Sequence, residues 1–372
     1  MTIAHAFETI SQPRSHGDEG REGAGAEPPP ELAASRAIGP EAAWSLAEIH
    51  ARHLPEIERR MLESKASAAL VRRMLAYHLG LGGKRMRALL PVWVCENLGG
   101  AFGAALDLGA GLELMHNATL VHDDLQDGDT HRRGRATIWR RWGMPQAVNA
   151  GNALIFEAFA RIARAPCAPR IMEHVAAALM QVTEGQSMEF QLQLPPGHVD
   201  HLLPILSVWE AMARGKTGAL FAACMRAGAA AAGARDEVLE SAAGYGNDVG
   251  LLFQVQDDYL DLIGDKGRQR RGADLMEGKL SFPIIWAYEH GTPPDVAPIR
   301  ALLGRAREER TWEMADAALD ALRRCGALSA TAAWLVAAAR AAEGHPMAKI
   351  VPGWAAQCLA PVAHALGQDP EV

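Results

Sequence analysis

Residues 108–127 read L-G-A-G-L-E-L-M-H-N-A-T-L-V-H-D-D-L-Q-D. Up to Val121 the run is apolar round most of a helical wheel, so as a helix it belongs in the middle of a large bundle. It then delivers three carboxylates, Asp123, Asp124 and Asp127. The arrangement recurs far downstream, where V-G-L-L-F-Q-V-Q-D-D-Y-L-D at 249–261 ends in Asp257, Asp258 and Asp261. On a helix Asp123 and Asp127 share one face, as do Asp257 and Asp261. Like charges beside apolar core helices cost on the order of several kcal/mol unless something cationic lies between them. Mg²⁺ is the natural partner, because it is shared between one or two carboxylates and substrate phosphates. A lone D-D-x-x-D also suits a solvated helix end. Two copies, each following an apolar helix, point instead to facing metal clamps for a diphosphate.

Working outward, period-2 alternation is almost absent, and Ala, Leu, Met, Arg and Glu dominate. Breakers punctuate the chain at Gly80 to Gly83, Gly99-Gly100, Pro166 to Pro169, Pro195 to Gly197, Gly264 to Gly272 and Pro293-Pro294. This predicts ten or more helices and no sheet: an all-α fold, one large helical bundle over residues 41–372. Residues 1–40 are rich in Gly, Pro, Glu and Ala and read as a disordered tail.

The 372 residues are 49% hydrophobic and carry a net charge of −7, which argues against a nucleic-acid partner. No apolar run reaches membrane-spanning length, so no stable membrane insertion is expected. The N-terminus lacks an apolar signal core. The cysteines at 95, 167, 224, 325 and 358 form no C-x-x-C pair and suit a reducing cytoplasm.

Cationic groups complete the pattern. In G-G-K-R-M-R at 82–87, Lys84 and Arg87 fall on one face behind two glycines. Arg132 and Arg133 follow the first aspartate cluster. Lys216 and Thr217 lie in G-K-T-G, and Lys279 follows the second cluster. The glycine–lysine spacing is not that of a Walker P-loop. Two acidic sites and several separate cationic ones suit two diphosphates, one held through metal and one directly.

These motifs, in this order and spacing, resemble the trans-prenyltransferase (polyprenyl synthetase) family from about residue 45 to 345. They are G-G-K-R-M-R, His116 seven residues before Asp123, D-D-L-Q-D, R-R-G at 132–134, Gly185-Gln186 with Glu189, K-T-G, F-Q-V-Q-D-D-Y-L-D and D-L-M-E-G-K at 274–279. The resemblance implies the isoprenoid synthase fold, a bundle around a central cavity, and a homodimer. It implies about three Mg²⁺ ions, held mainly by Asp123, Asp127 and Asp257, with Asp124, Asp258 and Asp261 behind them. Lys84, Arg87, His116 and Arg133 would hold isopentenyl diphosphate. Arg132, Lys216, Thr217, Gln254 and Lys279 would contact the allylic diphosphate, and Gln186 would also bind substrate. The implied reaction is head-to-tail trans condensation: the allylic C–O bond ionises, the isopentenyl double bond attacks the cation, and a proton is lost.

The sequence departs from the family at Asn152 and Glu189, where Asp is usual. The loop 265–272 lacks the usual G-K pair and offers Lys266, Arg268, Arg270 and Arg271 instead. Positions five and four before Asp123 are the small Ala118 and Thr119, with Met115 a turn deeper. Bulky residues there end growth at farnesyl in this family, so geranylgeranyl diphosphate (C20) is the expected product, and Ala118→Phe is expected to shorten it. The alternatives are a farnesyl or longer-chain synthase, a class I terpene cyclase, which carries a different second metal motif, and a non-catalytic subunit, which loses its aspartates.

Overall fold

Helix formers between Gly and Pro breakers give a chain of helices. The computed structural model describes residues 43–264 and 270–368. The expected N-terminal tail, and positions 265–269 of the basic loop, lie outside them. The helices are α1 (Leu46–Leu62), α2 (Ala69–Leu79), α3 (Met86–Asn97), α4 (Leu106–Gln126), α5 (Ile138–Trp142), α6 (Met144–Ile162), α7 (Ala168–Gln193) and α8 (Leu206–Ala213). After a π-helical turn, Arg214–Gly218, come α9 (Ala219–Ala231), α10 (Asp236–Ile263), α11 (Ala273–Glu277), α12 (Phe282–His290), α13 (Pro293–Leu303), α14 (Trp312–Arg324), α15 (Ala327–Glu343) and α16 (Trp354–Gln368).

Local signals set the first boundary. Ser45 and Glu48 form a reciprocal capping box at the start of α1, which satisfies two orphan N–H groups. The all-round apolar run of α4 has the predicted consequence: the helix is buried on nearly every side from Leu106 to Ala118. It packs against α3 and α6. Helix α9 packs against α3 and α10, and α10 also meets α15 and α16. Between these layers Phe221 meets Trp354 and Phe253 edge-on, with ring centroids 5.6 and 5.8 Å apart.

The expectation of no sheet needs one correction. His131–Arg132 pairs antiparallel with Arg135–Ala136. Arg133 and Gly134 turn the ribbon with φ of 52° and 75°. Two successive positive φ angles are the signature of a type I′ hairpin turn, and the preceding basic residues hid it. Among the described residues no single helix is long and apolar enough to cross a membrane.

Candidate active site

Asp123 and Asp257 line one cavity of about 770 Å³. Helix α4 supplies its wall through His116, Thr119, Leu120, Asp123 and Gln126, which recur every three or four residues. Helix α10 supplies Phe253, Gln254, Asp257 and Asp258 from the opposite side in sequence. The two clusters, distant along the chain, therefore face the same space.

Each carboxylate of the first cluster meets a cation. Asp123 Oδ1 accepts from Gln186 Nε2 at 3.1 Å and lies 3.6 Å from Lys216 Nζ. Asp127 Oδ2 lies 2.9 Å from Lys279 Nζ, which also pairs with Glu277. Asp124 points away from the cavity, 2% exposed, and takes Arg132 Nε at 2.7 Å. Burial pushes the Asp124 carboxyl up to about 7, against the pull of Arg132. In the second cluster, Asp258 Oδ2 accepts from the Phe282 backbone at 2.8 Å, and Asp261 Oδ2 from the Asp274 backbone at 2.9 Å. Both thereby cap the helices that follow and set where Lys279 emerges.

Lys216 and Thr217 project from the π-helical turn. Thr217 donates to Gln254 Oε1 at 2.6 Å, and Gln254 Nε2 donates to Asp258 at 2.9 Å. Lys216 pairs tightly with Glu189. Burial works against the lysine charge, but Glu189 and Asp123 more than reverse that and hold its pKa above the usual value. The turn is nested between helices. A Cβ on Gly185 would run into the Lys216 backbone nitrogen, and one on Gly250 would come 2.6 Å from Gly218 Cα. Arg214 fastens the turn to α10 through Asn247 Oδ1 at 2.7 Å and Asp248 at 2.8 Å. A π-turn at a ligand-facing position is a recurrent device.

A second pole of the cavity is cationic. Arg87 lies over the Phe221 ring at 4.3 Å and donates to His116 Nε2 at 3.2 Å. Burial and then Arg87 hold His116 well below its ordinary pKa, so it is a neutral acceptor toward Arg87. Arg133 donates to the Gly82 carbonyl. A Cβ on Gly83, whose φ is 137°, would come 2.7 Å from that guanidinium. The glycine pair thus makes room for an arginine from the hairpin.

Not every expected residue reaches the cavity. Lys84 is exposed and is not part of the wall. Thr119 lines the cavity, whereas Ala118 and Met115 are fully buried elsewhere in the core. Five residues before Asp123 is about 500° of helical rotation, well off the face that Asp123 presents. Several lining residues went unread in the sequence, among them Val182 and Phe190 of α7, Leu220 of α9, and Trp209 of α8. They sit in ordinary apolar helices, whose pattern does not say which face a cavity will touch.

Among the described residues no three His, Cys, Asp or Glu side chains converge as a ready-made ion site. Mg²⁺ takes few protein ligands and completes an octahedron with phosphate oxygens and water. Asp123 and Asp127 also fit in kind, since each already holds a cationic side chain.

Comparison with known proteins agrees with this arrangement. A family model described as Polyprenyl synthetase matches residues 68–321. The geranylgeranyl diphosphate synthase of Methanosarcina mazei is 32% identical over 260 residues, covering 68% of this chain and 75% of that protein. The (2E,6E)-farnesyl diphosphate synthase of Mycobacterium bovis is 33% identical over 235 residues, covering 59% and 64%. A polyprenyl synthase from Caulobacter crescentus, crystallised with calcium and isoprenyl diphosphate, superposes with a TM-score of 0.73 at 27% identity, over 86% of this chain and 95% of that one. The matched span takes in both aspartate clusters and every helix from α2 to α13. The likeness therefore lies in the cavity as well as the frame, and the chain belongs to the polyprenyl synthetase family.

Proposed function

We propose that this chain is a Mg²⁺-dependent trans-prenyl diphosphate synthase, which joins isopentenyl diphosphate to C5–C15 allylic diphosphates. One observation carries the reading. A single cavity is lined by the carboxylates Asp123 and Asp257, by the cations Arg87 and Arg133 with neutral His116, and by the apolar side chains Leu120, Val182, Leu220 and Phe253.

In this reading the allylic diphosphate lies at the acidic pole. Asp123, Asp127 and Asp257 would hold the metal, with Asp124, Asp258 and Asp261 orienting them. Bound Mg²⁺ would neutralise charge on the leaving diphosphate. Lys216, Lys279 and Arg132 exchange carboxylate partners for phosphate oxygens, so cationic charge waits where negative charge develops. Gln186, Thr217 and Gln254 keep the donors in register. Arg87, His116 and Arg133 hold the isopentenyl diphosphate, with Lys84 closing over it from the rim. The double bond is thereby fixed next to the ionising carbon. The proton lost from the new chain passes to the departing diphosphate, so no nucleophilic side chain is required.

The apolar lining selects product length, and the absence of a bulky residue at Thr119 favours geranylgeranyl diphosphate. Identity to relatives does not decide this, since geranylgeranyl and farnesyl synthases match about equally well. For the homodimer we assign the exposed side of α6 that carries Met144, Val148 and Phe156. The five free cysteines fit a reducing cytoplasm.

The test is incubation with Mg²⁺, isopentenyl diphosphate and each allylic diphosphate, with products identified by mass. Longer diphosphates support the synthase. Hydrocarbons would mean a cyclase, and absence of turnover a non-catalytic subunit.

A further inference from the structure

Arg85 is the one cation of G-G-K-R-M-R that turns inward to the core. It is 5% exposed and has a φ of 50°, a left-handed conformation that costs a non-glycine residue about 1–2 kcal/mol. A buried guanidinium persists only when its donors are met. Arg85 Nη2 donates to the Leu79 carbonyl at 2.6 Å, at the end of α2. Its Nε donates to Glu58 of α1 at 3.2 Å, and its Nη1 lies 3.6 Å from Glu113 Oε1 of α4.

Glu113 is itself 4% exposed. Its Oε2 accepts from the Ala88 backbone at 3.2 Å, in the first turn of α3. Its Oε1 accepts from Asn117 Nδ2 at 3.3 Å. One carboxylate thus holds both the side chain of Arg85 and the start of the helix that carries Arg87. Glu113 and His116 are three apart on α4, so the same turn that anchors Arg85 also presents His116 to Arg87. Besides this anchor the loop, with Gly82 and Gly83 both at positive φ, is held by Arg133 on the Gly82 carbonyl and by backbone bonds from Leu81 and Gly82 to the end of α2.

From this geometry we infer that Arg85, acting through Glu113, is a positioning residue for the isopentenyl diphosphate pole. It touches no substrate. It fixes the backbone from Gly82 to Ala88, so that the Gly82 carbonyl meets Arg133 and Arg87 meets His116. The inference rests on the synthase reading above.

The experiment is steady-state kinetics on the full chain carrying Arg85→Lys, with Glu113→Gln as the second variant and circular dichroism melts as the control for folding. Arg85→Lys keeps the charge and loses the fork, while Glu113→Gln keeps the shape and loses the counter-charge. Each is expected to raise KM for isopentenyl diphosphate about tenfold and to leave KM for the allylic diphosphate within about twofold. Arg85→Met is expected to be worse than Arg85→Lys. A purely structural role would move both KM values and kcat together, and that pattern overturns the inference. So do unchanged KM values in an active, folded Arg85→Lys protein, with the synthase reading intact. Absence of turnover in the wild-type chain overturns the synthase reading first and this inference with it.

Discussion

Lys279 and Asp127 join the two aspartate clusters: the ammonium carried by the segment after the second cluster stands 2.9 Å from the last carboxylate of the first. The carboxylates around Lys279 overcome the cost of burying it and hold its pKa well above the lysine range, so the charge persists at any working pH. Replacing it with methionine keeps the stem and removes the charge. Lys279→Met is expected to lower kcat about 10²-fold, with KM for isopentenyl diphosphate unchanged. A change confined to the isopentenyl KM would place Lys279 at the wrong pole.

Asp123→Asn and Asp257→Asn each remove one carboxylate from the shared cavity. Each is expected to lower kcat about 10²–10³-fold at saturating Mg²⁺. Because the two act on one diphosphate, the double variant is expected to lose far less than the product of the single losses. Independent, multiplicative losses would argue that the clusters serve different ligands.

Product length separates two neighbouring positions. Thr119 faces the cavity, so Thr119→Phe is expected to shift products toward shorter diphosphates, read by mass spectrometry. Ala118 is fully buried off the cavity wall. Ala118→Phe is therefore expected to destabilise the fold by about 1–3 kcal/mol through overpacking rather than reset length. Shorter products from Ala118→Phe in a stable protein would restore the reading taken from the family pattern.

His78 provides a pH signature. Burial, and then the nearby arginines, push its pKa from 6.5 to about 3. Below pH 6.5 the unfolded chain binds a proton that the folded chain refuses, so acid favours unfolding. From pH 7 to 5 this one residue removes about 2 kcal/mol of stability. His78→Leu lacks that penalty. Its stability deficit relative to wild type, from urea melts, is expected to narrow by about that amount at pH 5. A deficit that is constant with pH would mean that His78 titrates normally.

Gly185 tests the nesting of the π-turn. Gly185→Ala is expected to cost about 1–3 kcal/mol, because its methyl meets the Lys216 backbone rather than a movable side chain. It is also expected to lower kcat by displacing Lys216. Full activity in a stable Gly185→Ala protein would show that the turn can shift freely.

The sequence carried the bundle and the acidic pole because their signals are short-range. Apolar periodicity reports burial, and D-D-x-x-D reports a shared face. Arg85 shows what such signals miss. Between Lys84 and Arg87 it reads as one more cation for the ligand, and only the approach of α1, α2 and α4 reveals that it faces inward. The π-turn was hidden likewise: G-K-T-G reads as a weak spot in a helix, and the close contact of Gly185 and Gly250 with that turn is long-range. The place of Ala118 depended on angular arithmetic over five residues, where a small error in assumed direction decides cavity or core.

The widened turn at Arg214–Gly218 also bears on how the gene for this enzyme can change length. A π-turn holds one residue more than an α-turn, so excising a single codon there would return the segment to regular winding and leave the flanking helix in register. Leu220 would keep its place in the cavity, and Phe221 its contacts with Arg87 and Trp354. Such a deletion would therefore spare the interior packing and remove only the bulge that presents Lys216 and Thr217.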